Sequence, residues 1–71
     1  MSAGNIIKHW SYDLCMSVPE IAKEAGVSAP TLYKYIDGSR TPLLSMVRKL
    51  RNFAKDKGLN VPPIEDFYED D

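Results

Sequence analysis

The chain has 71 residues, which is enough for one domain around one small core. Hydrophobic residues make up 44% and charged residues 27% of it, a balance typical of a globular protein, and no apolar run approaches the length of a membrane span. The formal net charge of −1 conceals a division, because residues 1–64 carry a net +4 and residues 65–71 a net −5.

The chain offers little material for a disulfide or a metal site. Cys15 is the single cysteine and His9 the single histidine, and no acid cluster stands at ligand spacing beside them. We therefore expect Cys15 to be a small buried hydrophobic residue in a reducing compartment, and we expect no metal and no cofactor. The first ten residues contain one lysine and no long apolar stretch, which argues against a secretory signal.

Apolar residues at helical spacing predict two helices in the first third of the chain. The first has an inner face of Ile6, Ile7, Trp10 and Leu14. The second is predicted to begin after Ser17, because Ser17 and Glu20 have the spacing of a capping box and Pro19 falls in the first turn, where its missing N–H is harmless. Gly26 is predicted to end this helix, since glycine adopts the left-handed C-cap conformation at no steric cost.

A short third helix is predicted from Ser28 to Asp37. Ser28 is its expected cap, and Pro30 again falls in a first turn. Leu32 and Tyr35 are expected to point into the core. The remaining long side chains of the helix, Tyr33 and Lys34, are expected to point elsewhere, as is that of Asp37.

Gly38 is predicted to stop the third helix, and Thr41 and Pro42 to start a fourth as its cap and first helical residue. An apolar stripe follows at helical spacing: Leu43, Met46, Val47, Leu50, Phe53 and Ala54. The spacing of Ile64, Phe67 and Tyr68 favours one last short helix. Strand signals are absent, so the sequence predicts an all-α fold of four to five short helices.

Two helices joined by about three residues through a glycine form a helix-turn-helix. Residues 17–42, "SVPEIAKEAGVSAPTLYKYIDGSRTP", resemble the helix-turn-helix of the Cro/C1-type (xenobiotic-response-element) repressor family. The match extends from the capping serine through the Gly-Val-Ser turn to the Gly-x-x-x-Pro before the next helix. It implies a Cro/C1 repressor-like domain over residues 1–61, followed by an acidic C-terminal tail over residues 62–71.

The resemblance implies that the helix from Ser28 to Asp37 lies in the major groove of DNA, with its N-terminal end toward the bases. The residues that it implies for DNA contact are Ser28, Ala29, Pro30, Thr31, Tyr33, Lys34 and Arg40. Free N–H groups of the first turn are expected to hold a phosphate, and lysines to add a salt-sensitive attraction. Asp37 is expected near the DNA backbone, where its charge repels phosphate.

Several positions differ from those of a strong sequence reader. Repressors often carry Gln, Ser, Arg or Asn at the base-reading positions, because these side chains form two hydrogen bonds with a base. Val18, Ala29 and Pro30 occupy such positions here and offer only apolar contact with thymine methyl groups. Direct readout through hydrogen bonds is therefore expected to be weak.

The function implied by the resemblance is a small transcriptional regulator, of phage or bacterial origin, that binds operator DNA. A homodimer is expected, because one module covers too few bases for useful specificity. The alternative is an antirepressor or co-regulator that uses the same fold to bind a partner repressor protein. Its expected contacts are Val18, Pro30, Tyr33, Phe67 and Tyr68. Neither reading needs an enzyme or a membrane, and both place the protein in the cytoplasm of a bacterial or phage-infected cell.

The acidic tail allows three interpretations. A run of acids most often forms a solvated end of the chain. The tail also mixes Ile64, Phe67 and Tyr68 with five acids. It is therefore also consistent with docking on a partner, or with folding over the protein's own basic helix in place of phosphate.

Overall fold

A computed structural model describes residues 2–69 of the chain. Its helices are α1 (Ala3–Leu14), α2 (Val18–Ala25), α3 (Ala29–Ile36) and α4 (Leu44–Asp56), followed by a 3₁₀ helix (Ile64–Phe67). The prediction of an all-α fold with four to five short helices is confirmed. Extended pairing within the described residues is limited to an antiparallel bridge between Ser2 and Tyr68, and none of these helices is long and apolar enough to cross a membrane.

Side-chain caps set the beginnings of α2 and α3 as predicted. Ser17 and Glu20 form the expected capping box, in which the Ser17 N–H donates to Glu20 Oε1 at 3.0 Å and the Glu20 N–H donates to Ser17 Oγ at 3.3 Å. Ser28 Oγ accepts from the Thr31 N–H and caps α3. Gly26 ends α2 with a φ of 79°, in the left-handed region that glycine tolerates best.

The predicted start of α4 is wrong by two residues. The helix begins at Leu44, and its N-cap is Leu43, which makes no side-chain capping bond. The chain remains non-helical through Leu43. In this stretch Thr41 is exposed and Pro42 is buried, which places the proline ring inward. As a consequence Leu43 lies outside the apolar stripe of α4 and is 67% exposed.

The prediction of a buried Cys15 is also wrong. Cys15 is exposed and takes the left-handed C-cap position of α1, with a φ of 52°. Its backbone N–H donates to the last carbonyl groups of the helix, those of Ser11 and Tyr12. The residue thus ends α1 through its backbone, and its side chain lies outside the core.

The core combines residues from every helix. Its buried members are Ala3, Ile6, Ile7, Trp10, Ile21, Ala22, Leu32, Tyr35, Val47, Leu50, Phe53, Ala54 and Phe67. The Trp10 ring lies between two phenylalanines, with centroid distances of 5.8 Å to Phe53 and 6.2 Å to Phe67. Phe67 is therefore a core residue of the acidic tail and is 1% exposed, whereas the sequence placed it among the expected partner contacts. Its aromatic ring is more stable in the gap beside Trp10 than in water.

Helices α1 and α3 cross closely at Gly4. A Cβ atom at this position would lie 2.5 Å from the Tyr35 carbonyl oxygen and 2.8 Å from the Ile36 Cα atom. Only glycine allows the two backbones to approach this far. The crossing holds α3 against the N-terminal half of α1, and it leaves the opposite face of α3 toward solvent.

Candidate nucleic-acid interface

Helices α2 and α3 are joined by a turn of three residues, Gly26, Val27 and Ser28. The N–H groups of Gly26 and Val27 both donate to the Ala22 carbonyl, the latter at 3.0 Å, and so close the end of α2. Ser28 then starts α3 directly. Ile21, Ala22, Leu32 and Tyr35 are buried in the core that the two helices share. This geometry is a helix-turn-helix.

Residues of α4 and of its C-cap contact the turn and the end of α2 at the surface. The Lys49 Nζ donates to the Gly26 carbonyl oxygen at 3.4 Å, and Lys57 forms an ion pair with Glu24 near the end of α2. Both interactions are at the surface, so each contributes little stability by itself. They join α4 to the turn and to the end of α2 at the surface.

The outer face of α3 carries Pro30, Tyr33 and Lys34, which are all exposed. These positions are spaced i, i+3 and i+4 and therefore lie on one side of the helix. We call these three residues the reading face. The Tyr33 side chain is 49% exposed and offers a hydroxyl group and an aromatic edge, whereas Lys34 offers a mobile positive charge.

The N-terminal end of α3 has fewer free donors than the sequence predicts. Pro30 has no N–H, and the N–H of Thr31 donates to Ser28 Oγ at 3.3 Å. The two hydroxyl groups of Ser28 and Thr31 are themselves hydrogen-bonded at 2.6 Å. The backbone N–H of Ala29 is therefore the donor that the first turn retains for a phosphate.

Asp37 is the C-cap residue of α3 and stabilises the turn that follows. Its Oδ1 accepts from the Ser39 N–H at 2.8 Å. Hydrogen bonding by the Ser39 side chain and backbone lowers the pKa of Asp37, with a smaller contribution from Lys34. The carboxylate thus orders the turn that carries Arg40, which is exposed immediately beyond it.

Two predicted contact residues are less accessible than expected. Val18 and Ala29 are half-buried and pack against the core, so they do not lie on an outer face with Tyr33. Both lie in the first turns of their helices, and their apolar side chains are stabilised by contact with the core. The available face of α3 is correspondingly narrower than the sequence predicts.

Sequence reasoning also missed an exposed apolar pair beside α3. Leu43 is 67% and Leu44 44% exposed, and Leu43 lines a groove together with Thr31 and Arg40. Pro42 is the sequence feature that could have indicated this exposure. A proline can stand shortly before a helix as well as inside its first turn, so α4 could have been predicted to begin after Leu43.

Positive charge is concentrated away from α3. Lys34 is the single charged residue within Ala29–Ile36, whereas Leu44–Asp56 carries four cations, Arg48, Lys49, Arg51 and Lys55, and one acid. Among residues 2–69, no three His, Cys, Asp or Glu side chains are grouped as metal ligands would be.

The comparisons with known proteins identify the same region. The family model described as "Bacterial regulatory proteins, tetR family" matches residues 16–38, which contain α2, the turn and α3. This match covers about a third of the chain, and the likeness is confined to that part. Neither the search of curated proteins nor that of solved structures gave a match. The chain therefore carries the helix-turn-helix of a DNA-binding transcriptional regulator.

Proposed function

We propose that this protein is a small regulator of the Cro/C1 type, of bacterial or phage origin, that binds operator DNA as a homodimer in the cytoplasm. The observation that carries the proposal is the reading face. Pro30, Tyr33 and Lys34 are exposed together on a helix that is capped by Ser28 and held behind a glycine turn. A helix in this position is the element that enters the major groove in helix-turn-helix proteins.

We assign these side chains to two kinds of contact with DNA, phosphate contacts and base contacts. Lys34 and Arg40 are exposed at the end of α3 and just beyond it, so they suit phosphate contacts that depend on salt and not on sequence. Tyr33 is the one residue of the reading face that can both form a hydrogen bond and make apolar contact with a thymine methyl group. The backbone N–H of Ala29 adds a phosphate donor near the helix N-terminus.

This division implies modest sequence discrimination by each copy. With Lys34 assigned to phosphate, no other side chain of the reading face is of a type that forms two hydrogen bonds with a base, as Arg, Lys, Asn and Gln do. Two copies bound to two half-sites double the number of base contacts. They therefore about double the free energy by which the operator is preferred over other DNA. The proposal therefore requires a dimer on DNA.

The experiment is a binding titration with the duplex that flanks the protein's own gene and with a random duplex of equal length. Lys34→Ala is expected to weaken binding to both and to reduce the slope of log affinity against log salt by about 1. Tyr33→Ala is expected to lose affinity for the flanking duplex alone. Lys8→Ala and Tyr12→Ala are the matched controls, since both residues are exposed on α1. A wild type that binds neither duplex would refute the proposal.

A second candidate function is a co-regulator that binds a partner repressor protein. The observation in its favour is the exposure of Leu43 and Leu44 beside the groove that also contains Thr31 and Arg40. Adjacent exposed leucines are better suited to a protein surface than to DNA phosphate. In this case the DNA complex of a neighbouring regulator changes on addition of this protein, Leu43→Ser removes the effect, and salt has little influence.

A further inference from the structure

A pocket of about 380 Å³ lies between α1 and the segment that follows α4. Volumes of this size are typical of small-molecule sites in proteins. The residues that line the pocket belong to α1 and to the stretch 58–62, and none of them belongs to α2 or α3. A ligand in this pocket would therefore not compete with DNA for the reading face.

Both walls of the pocket are held in place by the fold. On the first wall, Ile6 and Trp10 are buried one helical turn apart in α1. The second wall is attached to α4, because the Leu59 N–H donates to a carbonyl of that helix at 2.9 Å. The Arg51 Nε, also on α4, donates to the Pro62 carbonyl oxygen at 3.0 Å. The pocket is therefore formed before a ligand binds, which lowers the entropy cost of binding.

The buried side chains of the pocket are apolar, and its polar side chains are exposed. Ile6 and Trp10 are in the core, and Leu59 is half-buried beside them. The exposed polar members are His9, Asp13 and Asn60. This arrangement suits a ligand with an apolar body and a polar end.

Asp13 gives the pocket a negative charge. No lysine or arginine is among the described residues that line it. Lys57, which precedes Gly58 in the chain, is paired with Glu24, and Lys8 lines a neighbouring depression beside Asp13 without an ion pair. Within residues 2–69, the Asp13 carboxylate itself has no hydrogen bond or ion pair. It is therefore available to a cation that enters the pocket.

We propose that this pocket binds a small organic amine. The ammonium group of the ligand pairs with the Asp13 carboxylate, and its apolar body packs on Leu59 and on the edge of Trp10 that the pocket reaches. His9 and Asn60 carry hydrogen-bonding groups that orient the polar end. Because Asp13 is exposed, the ion pair contributes modestly, and burial of the apolar body supplies the rest of the affinity. The site goes beyond the proposed function, since it lies on other elements and needs no DNA.

Trp10 is the single tryptophan of the chain, so its fluorescence reports on this pocket. The experiment titrates the full chain with phenethylamine and with two controls of nearly equal size, neutral 2-phenylethanol and anionic phenylacetate, at constant ionic strength. The amine is expected to give a saturable change with a dissociation constant on the order of 1 mM, as for a ligand of about ten heavy atoms. The alcohol is expected to bind about two- to fivefold more weakly, since it lacks the ion pair, and the carboxylate more weakly still. Amide chemical shifts should change on residues 9, 13 and 58–60.

Two substitutions in the pocket move the preference for the amine in opposite directions. Asp13→Asn should bind amine and alcohol equally, whereas Asn60→Asp should bind the amine about two- to fivefold more tightly than wild type. Glu65→Gln is the matched control, since this carboxylate is exposed outside the pocket and its removal should change neither affinity. All three positions are exposed, and circular dichroism reports whether the variants remain folded.

Three results would overturn the inference. The first is the absence of a saturable change with phenethylamine. The second is equal affinity of wild type for the amine and the alcohol, or an amine preference that Asp13→Asn leaves unchanged. The third is a lysine-containing peptide that binds the pocket far more tightly than the amine, since the site would then recognise a protein. Loss of DNA binding would leave the pocket result unaffected and would refute the proposed function alone.

Discussion

The Phe67 ring meets the Trp10 ring edge-on, with their centroids 6.2 Å apart. This contact attaches a segment that carries five acids to the hydrophobic core of the domain. Residues 64–67 are therefore part of the fold. For this reason the charge of the tail has to be tested without removing Phe67.

Phe67→Ala should strongly destabilise the protein. The ring is 1% exposed, and large-to-small substitutions at such positions cost about 3–5 kcal/mol because they remove burial and leave a cavity. Guanidinium unfolding followed by circular dichroism measures the loss. Tyr68→Ala is the neighbouring control, with an expected loss well below that of Phe67→Ala. Equal losses in the two variants would show that Phe67 does not anchor the tail.

The tail shows where sequence reasoning reached its limit. The apolar spacing of Ile64, Phe67 and Tyr68 predicted a short helix, and a short 3₁₀ helix is present. The spacing did not show that Phe67 enters the core, because helical periodicity identifies an apolar face without naming what covers it. None of the three interpretations of the tail placed Phe67 in the core.

Local chemistry was predicted better than tertiary burial. The capping box of Ser17 and Glu20 and the left-handed Gly26 were confirmed, since each depends on residues within four positions. The start of α4 and the burial of Val18 and Ala29 were not foreseen. Each depends on which surface the rest of the chain presents, and a single sequence does not contain that information in a local pattern.

Gly4→Ala should destabilise the domain although alanine is the better helix former. The added Cβ would meet the Tyr35 carbonyl oxygen at 2.5 Å. Overpacking against backbone costs about 1–3 kcal/mol, and the ~1 kcal/mol gain in helix propensity offsets only the lower end of that range. Thermal unfolding is the measurement, with Lys8→Ala at an exposed α1 position as the control. A rise in the melting temperature of Gly4→Ala would contradict the close crossing of α1 and α3.

Acid should remove part of the stability that Glu20 provides. The hydrogen bond from the Ser17 backbone, and next that from its side chain, lower the pKa of Glu20 in the folded state. A lowered carboxyl pKa contributes stability above the unfolded pKa, and that contribution is lost as pH falls through the folded value. Glu20→Gln should therefore be less stable than wild type near neutral pH, and the difference should shrink as the pH falls below the folded pKa. Urea unfolding at both ends of this range measures it. A difference that does not change with pH would contradict the ionic capping box.

The charge of the tail should oppose binding to random DNA. Deletion of residues 65–71 would remove the core residue Phe67, so the better test neutralises Asp70 and Asp71, which lie outside the described residues. Asp70→Asn with Asp71→Asn should raise the affinity for random duplex at low salt, because covalent anions repel phosphate and compete for cations. Fluorescence anisotropy at two salt concentrations shows the effect. No gain at low salt would exclude the tail as an electrostatic brake.

The most direct test of DNA binding through α3 is a titration of the isotopically labelled protein with the duplex that flanks its own gene, followed by amide chemical shifts. The largest changes are expected on residues 28, 29 and 31–34 and on Arg40. A random duplex should change the amide chemical shifts near Lys34 and Arg40, and it should change the amide chemical shift of Tyr33 less. Changes confined to other helices, or none with either duplex, would contradict binding through α3.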